Sequence, residues 1–204
     1  MIKVYGGVFS RAGMVMFALE ALGLEYDVVD MKPRAPDTRD PEYLALNPMG
    51  KLPTIQDGGL TLWESQAILF YLASSYGDHK LWADTPAKVA EIQRWSLFIS
   101  NQLEAPALEM LIQVKYSEGG PDQAVLDKAG AEFDRFLPVL EAHLQGREYL
   151  AEDKLTVADI HGALVLAWGK LAGFDYSRYP QVNSWIKRML NDPAQQRVMA
   201  RVKR

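Results

Sequence analysis

The first part of the chain alternates between two hydrophobic periods. Ile2–Tyr5 and Tyr26–Val29 are short runs of β-branched and aromatic residues, which are typical of strands. Between them, apolar residues recur at helical spacing as far as residue 22, and Gly23 follows. This pattern predicts a helix that ends at the glycine. The chain therefore begins with a predicted strand–helix–strand unit.

A short helix, a hairpin and a longer helix are predicted next. Residues 41–46 have the length of one short helix, and residues 52–56 and 60–62 flank the turn sequence Asp57-Gly-Gly, which is a hairpin signal. Residues 64–76 place apolar side chains on one helical stripe. The order of strand, helix, strand, helix, strand, strand and helix predicts an α/β domain of thioredoxin-like type over residues 1–77.

The rest of the chain shows helical periodicity and no strand signal. Four helical stretches are predicted, at residues 86–115, 121–145, 156–171 and from 179 to the C-terminus. Pro106 and Pro138 lie inside two of them, where proline is expected to kink or interrupt a helix. Residues 78–85 are interpreted as a linker. The predicted fold class is thus α/β plus all-α, with an all-helical bundle domain at residues 86–204.

Composition and charge narrow the function classes. The 204 residues are 49% hydrophobic and 24% charged, with a formal net charge of −4. This is an ordinary soluble composition, and a weakly acidic chain argues against nucleic acid as the main partner. No apolar run is long enough to predict a membrane span, and the first residues resemble a strand rather than a signal peptide. We therefore expect a cytoplasmic protein without a membrane partner.

The chain contains no cysteine and three histidines. The absence of cysteine excludes disulfides, thiolate metal sites and a Cys-x-x-Cys redox pair. The histidines show no metal-ligand spacing, so no metal site is expected. If the protein performs sulfur chemistry, another molecule must supply the thiol.

The segment Asn47-Pro-Met-Gly-Lys-Leu-Pro53 predicts a ligand-binding backbone. An X-Pro bond such as Leu52–Pro53 adopts the cis form at modest cost, and a turned-out backbone there could pair with an extended ligand as an added strand. The alternative is an ordinary trans proline that opens an edge strand. Lys51 is placed to neutralise a carboxylate of that ligand, although a solvated surface lysine is the commoner role.

Two helix starts carry further candidates. At Glu64-Ser65, the serine hydroxyl and free amides could hold a carboxylate, and Glu64 could accept a hydrogen bond from an ammonium group; simple helix capping is the alternative. At Ser10-Arg11, the serine hydroxyl could donate a hydrogen bond to a bound thiolate. The guanidinium of Arg11 and the N-terminus of the helix would also stabilise the ionised form of the thiol. Helix capping is again the alternative for Ser10. The sequence Thr156-Val-Ala-Asp159 resembles a capping box and is assigned to folding.

These motifs, in this order, resemble the cytosolic glutathione transferase family. The resemblance rests on the segments 5–7 with 22–26, 47–53, 62–65 and 156–159 and extends over nearly the whole chain. It implies a thioredoxin-like domain followed by a helical bundle, and a homodimer. It also implies that Leu52 and Pro53 present their backbone to the cysteinyl part of glutathione, that Glu64 and Ser65 hold its γ-glutamyl end, and that Lys51 lies near its glycyl end.

The resemblance implies an enzyme that transfers alkyl or aryl groups to the thiol of glutathione. Glutathione is then the co-substrate, a small apolar electrophile is the second substrate, and no other cofactor is expected. It also implies a role in detoxification. Ser10 lies at the position of the catalytic Ser or Cys in the family, and Tyr5 lies where the Tyr-based classes place theirs. The string 6–12 is most similar to a bacterial, chi-type class, in which arginine is a candidate, so Arg11 stays open. Two alternatives remain. One is another enzyme on this fold, namely a glutathione-dependent isomerase, ether-cleaving enzyme or peroxidase, and the other is a non-catalytic binding or adaptor protein.

Overall fold

A computed structural model describes residues 1–203, and Arg204 lies outside the described part of the chain. The structure divides into two compact units. The first combines Met1–Trp82 with the stretch that begins at Asp192, and the second is Ala83–Asn191. No helix among residues 1–203 is long and apolar enough to cross a membrane.

The first unit has the predicted thioredoxin-like order. Its elements are β1 (Ile2–Tyr5), α1 (Ala12–Leu22), β2 (Tyr26–Val29), a 3₁₀ turn (Pro36–Arg39), α2 (Pro41–Leu46), β3 (Thr54–Asp57), β4 (Leu60–Trp63) and α3 (Ser65–Ser75). The four strands form one sheet in the order β2-β1-β3-β4. β1 pairs with β2 in parallel and with β3 antiparallel, and β3 and β4 form the predicted hairpin. Gly23 closes α1 in the left-handed conformation, as predicted.

The register of the sheet brings three strand ends together. Tyr5, the last residue of β1, pairs with Thr54, the first of β3, and Thr54 also pairs with Trp63, the last of β4. The chain therefore leaves β1, enters β3 and leaves β4 at one edge of the sheet, which we call the site edge. Val4 and Ile55, one residue inside it, are completely buried and hold the register, because a slip by one residue would turn them outward.

The second unit is all-helical. Its helices are α4 (Pro86–Phe98), α5 (Ala105–Tyr116), α6 (Gln123–His143), α7 (Val157–Leu171) and α8 (Pro180–Leu190). The long helix predicted over 86–115 is divided by a π-helical segment, Ile99–Glu104. Pro106 lies in the first turn of α5, directly after this segment, in agreement with the predicted interruption, because proline has no N–H for the helical hydrogen bond.

Two details of α6 differ from the sequence prediction. The helix runs through Pro138 without an interruption, because the buried side chains of Leu137 and Leu140 hold it on the core on both sides of the exposed proline. The helix also begins after Pro121. Asp122 caps it, and its Oδ1 accepts a hydrogen bond from the Ala124 amide at 2.9 Å.

The last helix, α9 (Pro193–Ala200), belongs to the first unit. The sequence pattern had instead predicted one helical domain over residues 86–204. α9 packs on α1, and Ala194 and Val198 are buried there. Arg197 adds an ion pair with Glu20 of α1 at 2.8 Å. This long-range docking separates α9 from α8, to which it is joined in sequence.

The capping box at the start of α7 is confirmed. Asp159 is completely buried, and its carboxylate accepts hydrogen bonds from the Leu150 amide (2.8 Å), the Thr156 amide (3.0 Å), the Thr156 hydroxyl (2.8 Å) and the Trp185 indole (3.1 Å). One carboxylate thus joins the loop before α7 to the start of α7 and to α8. Burial raises the pKa of Asp159 to about 6.

We expect Asp159→Asn to lower the free energy of unfolding by about 2–4 kcal/mol, because an amide leaves at least one of the four donors without an acceptor. The native carboxyl holds its proton between pH 4 and 6, where the unfolded one has lost it, so this group's contribution to stability falls as pH rises through that window. In urea unfolding between pH 4 and 6, the free energy of unfolding of Asp159→Asn should therefore depend less on pH than that of the wild type. As a control, replacement of the exposed Asp153 by asparagine should change the free energy of unfolding by less than about 0.5 kcal/mol. If the stability of Asp159→Asn depended on pH as steeply as that of the wild type, Asp159 would not be the titrating group.

Candidate active site

The site edge collects the predicted site residues. Extended by one residue, the β1–β3 register places Gly6 beside Pro53, and the β3–β4 register places Pro53 beside Glu64. The loop that leads from β1 to Ser10, the segment before β3 and the start of α3 therefore emerge next to one another. Segments more than 50 residues apart in sequence are adjacent because the two antiparallel ladders end together.

At Gly6 two of these segments come close to each other. A Cβ built on Gly6 would lie 3.1 Å from Ser10 Oγ and 3.4 Å from the Leu52 Cβ, and it would collide with the Ala12 Cβ at 2.8 Å. Gly6 also has φ +128°, a conformation that favours glycine. The absence of a side chain at Gly6 thus lets the Ser10 hydroxyl and Leu52 lie against the same backbone.

Ser10 lies one residue before the N-cap of α1, Arg11, and its hydroxyl bonds to backbone groups around the helix start, which resembles the capping alternative. Its Oγ donates a hydrogen bond to the Gly7 carbonyl at 2.8 Å and accepts one from the Ala12 amide at 3.1 Å, at the start of α1. The side chain is half-buried. A hydroxyl has one proton and two lone pairs, so Ser10 can donate to a ligand by rotating its proton away from Gly7 while it keeps the bond from Ala12.

Tyr5 is engaged within the sheet. Its hydroxyl donates to Gln56 Oε1 at 2.7 Å, and Gln56 lies two residues inside the site edge, opposite Lys3. The ring packs against Tyr43 with 5.9 Å between centroids. The hydroxyl proton of Tyr5 is therefore directed away from the site edge, which favours Ser10 over Tyr5 as the donor to a ligand there.

The Leu52–Pro53 peptide bond is cis. It lies directly before β3, whose pairing with β1 begins at Thr54. Leu52 is half-buried and Pro53 is buried. The side chain of Lys51 is exposed, and Arg11 is half-buried next to the first residue of α1.

Two buried polar side chains hold the turn in front of the proline. The Lys51 carbonyl accepts hydrogen bonds from the Tyr43 hydroxyl at 2.6 Å and from Asn47 Nδ2 at 2.8 Å. The same two groups bond to Thr54 Oγ1 at 2.9 and 3.2 Å. Asn47 belongs to the motif that the sequence predicts, whereas Tyr43 carries no such signal, because nothing in the sequence of α2 shows where its hydroxyl points.

The start of α3 differs from a simple cap. No side chain caps the helix, although its first residue, Ser65, is only 7% exposed. Glu64 is exposed and has φ +73° and ψ 113°, a backbone conformation that costs a non-glycine residue about 1–3 kcal/mol. An uncapped helix N-terminus with a strained residue in front of it is suited to bind an anion.

Among residues 1–203, no group of three or more His, Asp or Glu side chains is arranged to hold a metal ion. The chemistry available at the site edge consists of a hydroxyl, backbone groups, a helix N-terminus and the charges of Arg11, Lys51 and Glu64.

Comparison with known proteins shows the family of this chain. Residues 1–74 match the family model "Glutathione S-transferase, N-terminal domain", and residues 88–193 match "Glutathione S-transferase, C-terminal domain". Maize glutathione S-transferase 1 is 33% identical, with 99% of this chain and 97% of that protein covered. Glutathione S-transferase GstB of Escherichia coli K12 is 30% identical, with 91% and 90% covered.

A solved structure of a glutathione S-transferase-I bound with lactoylglutathione superposes with a TM-score of 0.87 at 32% identity and covers 98% of each chain. Relatives from a plant and from a bacterium match about equally well, so the chi-type class and a bacterial source remain predictions. The two family models together cover most of the chain, and the fold agrees. The chain belongs to the glutathione S-transferase family.

Proposed function

We propose that Ser10 stabilises the thiolate of bound glutathione for attack on a small, mostly apolar electrophile. The observation that carries this proposal is that the Ser10 hydroxyl and Leu52 both lie close to Gly6 at the site edge. It combines a possible donor to sulfur with the backbone that would hold the cysteinyl part of the tripeptide. The commitment of the Tyr5 hydroxyl to Gln56 supports Ser10 further.

In this proposal glutathione lies along the site edge as an added strand. Its cysteinyl main chain pairs with the backbone of Leu52, beside Pro53. The γ-glutamyl carboxylate binds to Ser65 and the uncapped start of α3, where the helix dipole favours an anion, and Glu64 accepts a hydrogen bond from the ammonium group. Lys51, with its exposed side chain, neutralises the glycyl carboxylate.

The chemistry requires an ionised thiol and a positioned partner. A free thiol has a pKa of about 8.5, and its proton leaves to water. A hydrogen bond from Ser10, the positive end of α1 and the charge of Arg11 all favour the thiolate; lowering the pKa by one unit requires only about 1.4 kcal/mol. The thiolate then forms a C–S bond to the electrophile, and the leaving group departs with its electron pair.

The proposal includes the setting in which the enzyme works. Glutathione is its co-substrate and no other cofactor takes part, the protein acts in the cytoplasm, and conjugation serves detoxification. The protein is a homodimer, as the family resemblance implies. Light scattering should give a mass of twice the 22.9 kDa of one chain; a mass of one chain at micromolar concentration would contradict the dimer.

Replacement of Ser10 tests the thiolate assignment. Ser10→Ala should lower kcat about 10²-fold, because it removes one hydrogen bond to a charged sulfur, while KM for glutathione changes less than about twofold. Tyr5→Phe should keep most of the activity, since the lost bond is to Gln56. Steady-state kinetics with a panel of electrophiles measures both variants. An unchanged rate for Ser10→Ala together with loss of activity in Tyr5→Phe would show that Tyr5 activates the thiol.

Replacement of Ser65 tests the glutathione contacts. Ser65→Ala should weaken glutathione binding about 5- to 30-fold, since a hydrogen bond to a charged group contributes about 1.5–3 kcal/mol, partly compensated by water. Saturated kcat should stay close to that of the wild type. Ser74→Ala is the matched control, because Ser74 lies near the opposite end of α3 and its hydroxyl donates to the Tyr71 carbonyl. Equal affinities of both variants in calorimetry would remove Ser65 from the binding site.

A further inference from the structure

The C-terminal end of the described chain forms one wall of the cavity that contains Ser10. This cavity has a volume of about 420 Å³ and lies within the first unit. Its other walls are the loop after β1, with Phe9 and Ser10, and the loop after β2, with Met31. Arg201 and Val202, in the 3₁₀ turn after α9, complete it. We call these two residues the C-terminal wall.

One carboxylate holds the C-terminal wall to α1. Glu20 Oε2 accepts a hydrogen bond from Arg197 Nε at 2.8 Å, and Glu20 Oε1 accepts one from Arg201 Nη2 at 3.1 Å. The Tyr26 hydroxyl also donates to Oε1, at 3.0 Å. Arg197 Nη2 bonds in addition to the Glu20 backbone carbonyl at 3.0 Å. Glu20 is therefore the acceptor that both arginines share.

Arg201 is fixed from two directions. Its guanidinium lies 4.3 Å above the Tyr26 ring, and its side chain lines both the Ser10 cavity and an open cleft on which Glu20 and Tyr26 lie. Although burial alone would raise it, the hydrogen bonds from Arg197, Arg201 and Tyr26 hold the pKa of Glu20 below its usual value. The pairs therefore persist at neutral pH.

We propose that Glu20 is a positioning residue that sets the size of the electrophile, by holding Arg201 and Val202 as a wall of the cavity beside Ser10. This inference rests on the proposed function, since it takes the cavity to be the place of the electrophile. Glu20 acts through the wall and does not touch the reacting atoms. The ligand it selects is a compact and largely apolar molecule, because half of the lining is valine, phenylalanine or methionine, beside the charged Asp30, Lys32 and Arg201.

The structure separates this role from a role in folding. α9 is docked on α1 by the buried side chains of Ala194 and Val198, so loss of the ion pairs leaves the apolar contact in place. The residues of the wall follow α9 and are exposed. Removing the carboxylate thus loosens the wall, in which Arg201 keeps its contact with the Tyr26 ring, while the helix that carries the wall stays docked.

Glu20→Gln tests the inference with a series of electrophiles that share one reactive group and increase in bulk. We compare kcat/KM for the bulkiest electrophile with kcat/KM for the most compact one, and the variant should raise this ratio about 3- to 10-fold. The expected change is smaller than the discrimination that one methylene group can produce in a closed pocket. KM for glutathione should stay unchanged. Glu25→Gln is the matched control, because exposed Glu25 lines the same open cleft. A ratio within twofold of the wild type would overturn the inference.

A binding experiment without glutathione distinguishes this inference from the proposed function. The compact, uncharged fluorescent probe 1-aminonaphthalene should bind the wild type and Glu25→Gln equally and Glu20→Gln about 3- to 10-fold more weakly, because it loses the contact with the wall. Arg201→Ala, which removes part of the wall directly, should show the same loss and serves if Glu20→Gln fails to fold. Altered probe binding without conjugation by any variant would refute the proposed function alone. Conjugation with unchanged selectivity and unchanged probe binding would refute the role of Glu20 alone.

Discussion

The shared end of two antiparallel ladders is the constraint on which the site depends. Tyr5, Thr54 and Trp63 lie side by side across the sheet, so the loop to Ser10, the Leu52–Pro53 segment and the start of α3 leave the sheet at one edge. A register shift of one residue in either ladder would turn the buried Ile55 toward solvent. The same burial that stabilises the sheet thus fixes the distances between groups that would bind and ionise a thiol.

Around this edge, polar groups are held by other polar groups rather than by apolar packing. Tyr43 and Asn47 hold the carbonyl of Lys51, and Ser10 is fixed by Gly7 and Ala12. Buried hydrogen bonds of this kind are costly to break on one side only. A backbone held in this way can receive an extended ligand without being reordered on binding, which saves the entropy that ordering would cost.

The sequence predicted the fold, and it also contained the candidate residues that the structure brings to the site edge, because both have local signals. Strand and helix periods, Gly23 and the segment Asn47 to Pro53 are readable from neighbouring residues. Contacts between distant segments have no such signal. The bond from Tyr5 to Gln56, the role of Tyr43 and the docking of α9 on α1 each depend on partners that only the folded chain brings together. The continuity of α6 through Pro138 depends in the same way on buried leucines that outweigh a local propensity.

The proposed role of Ser10 is to make the sulfur of glutathione bound at the site edge anionic. The ultraviolet absorbance of the thiolate in the enzyme–glutathione complex, titrated with pH for the wild type and for Ser10→Ala, measures this ionisation. We expect an apparent thiol pKa at least one unit below the free value of about 8.5 in the wild type and a return toward that value in the variant. Equal titration curves for the two proteins would contradict it.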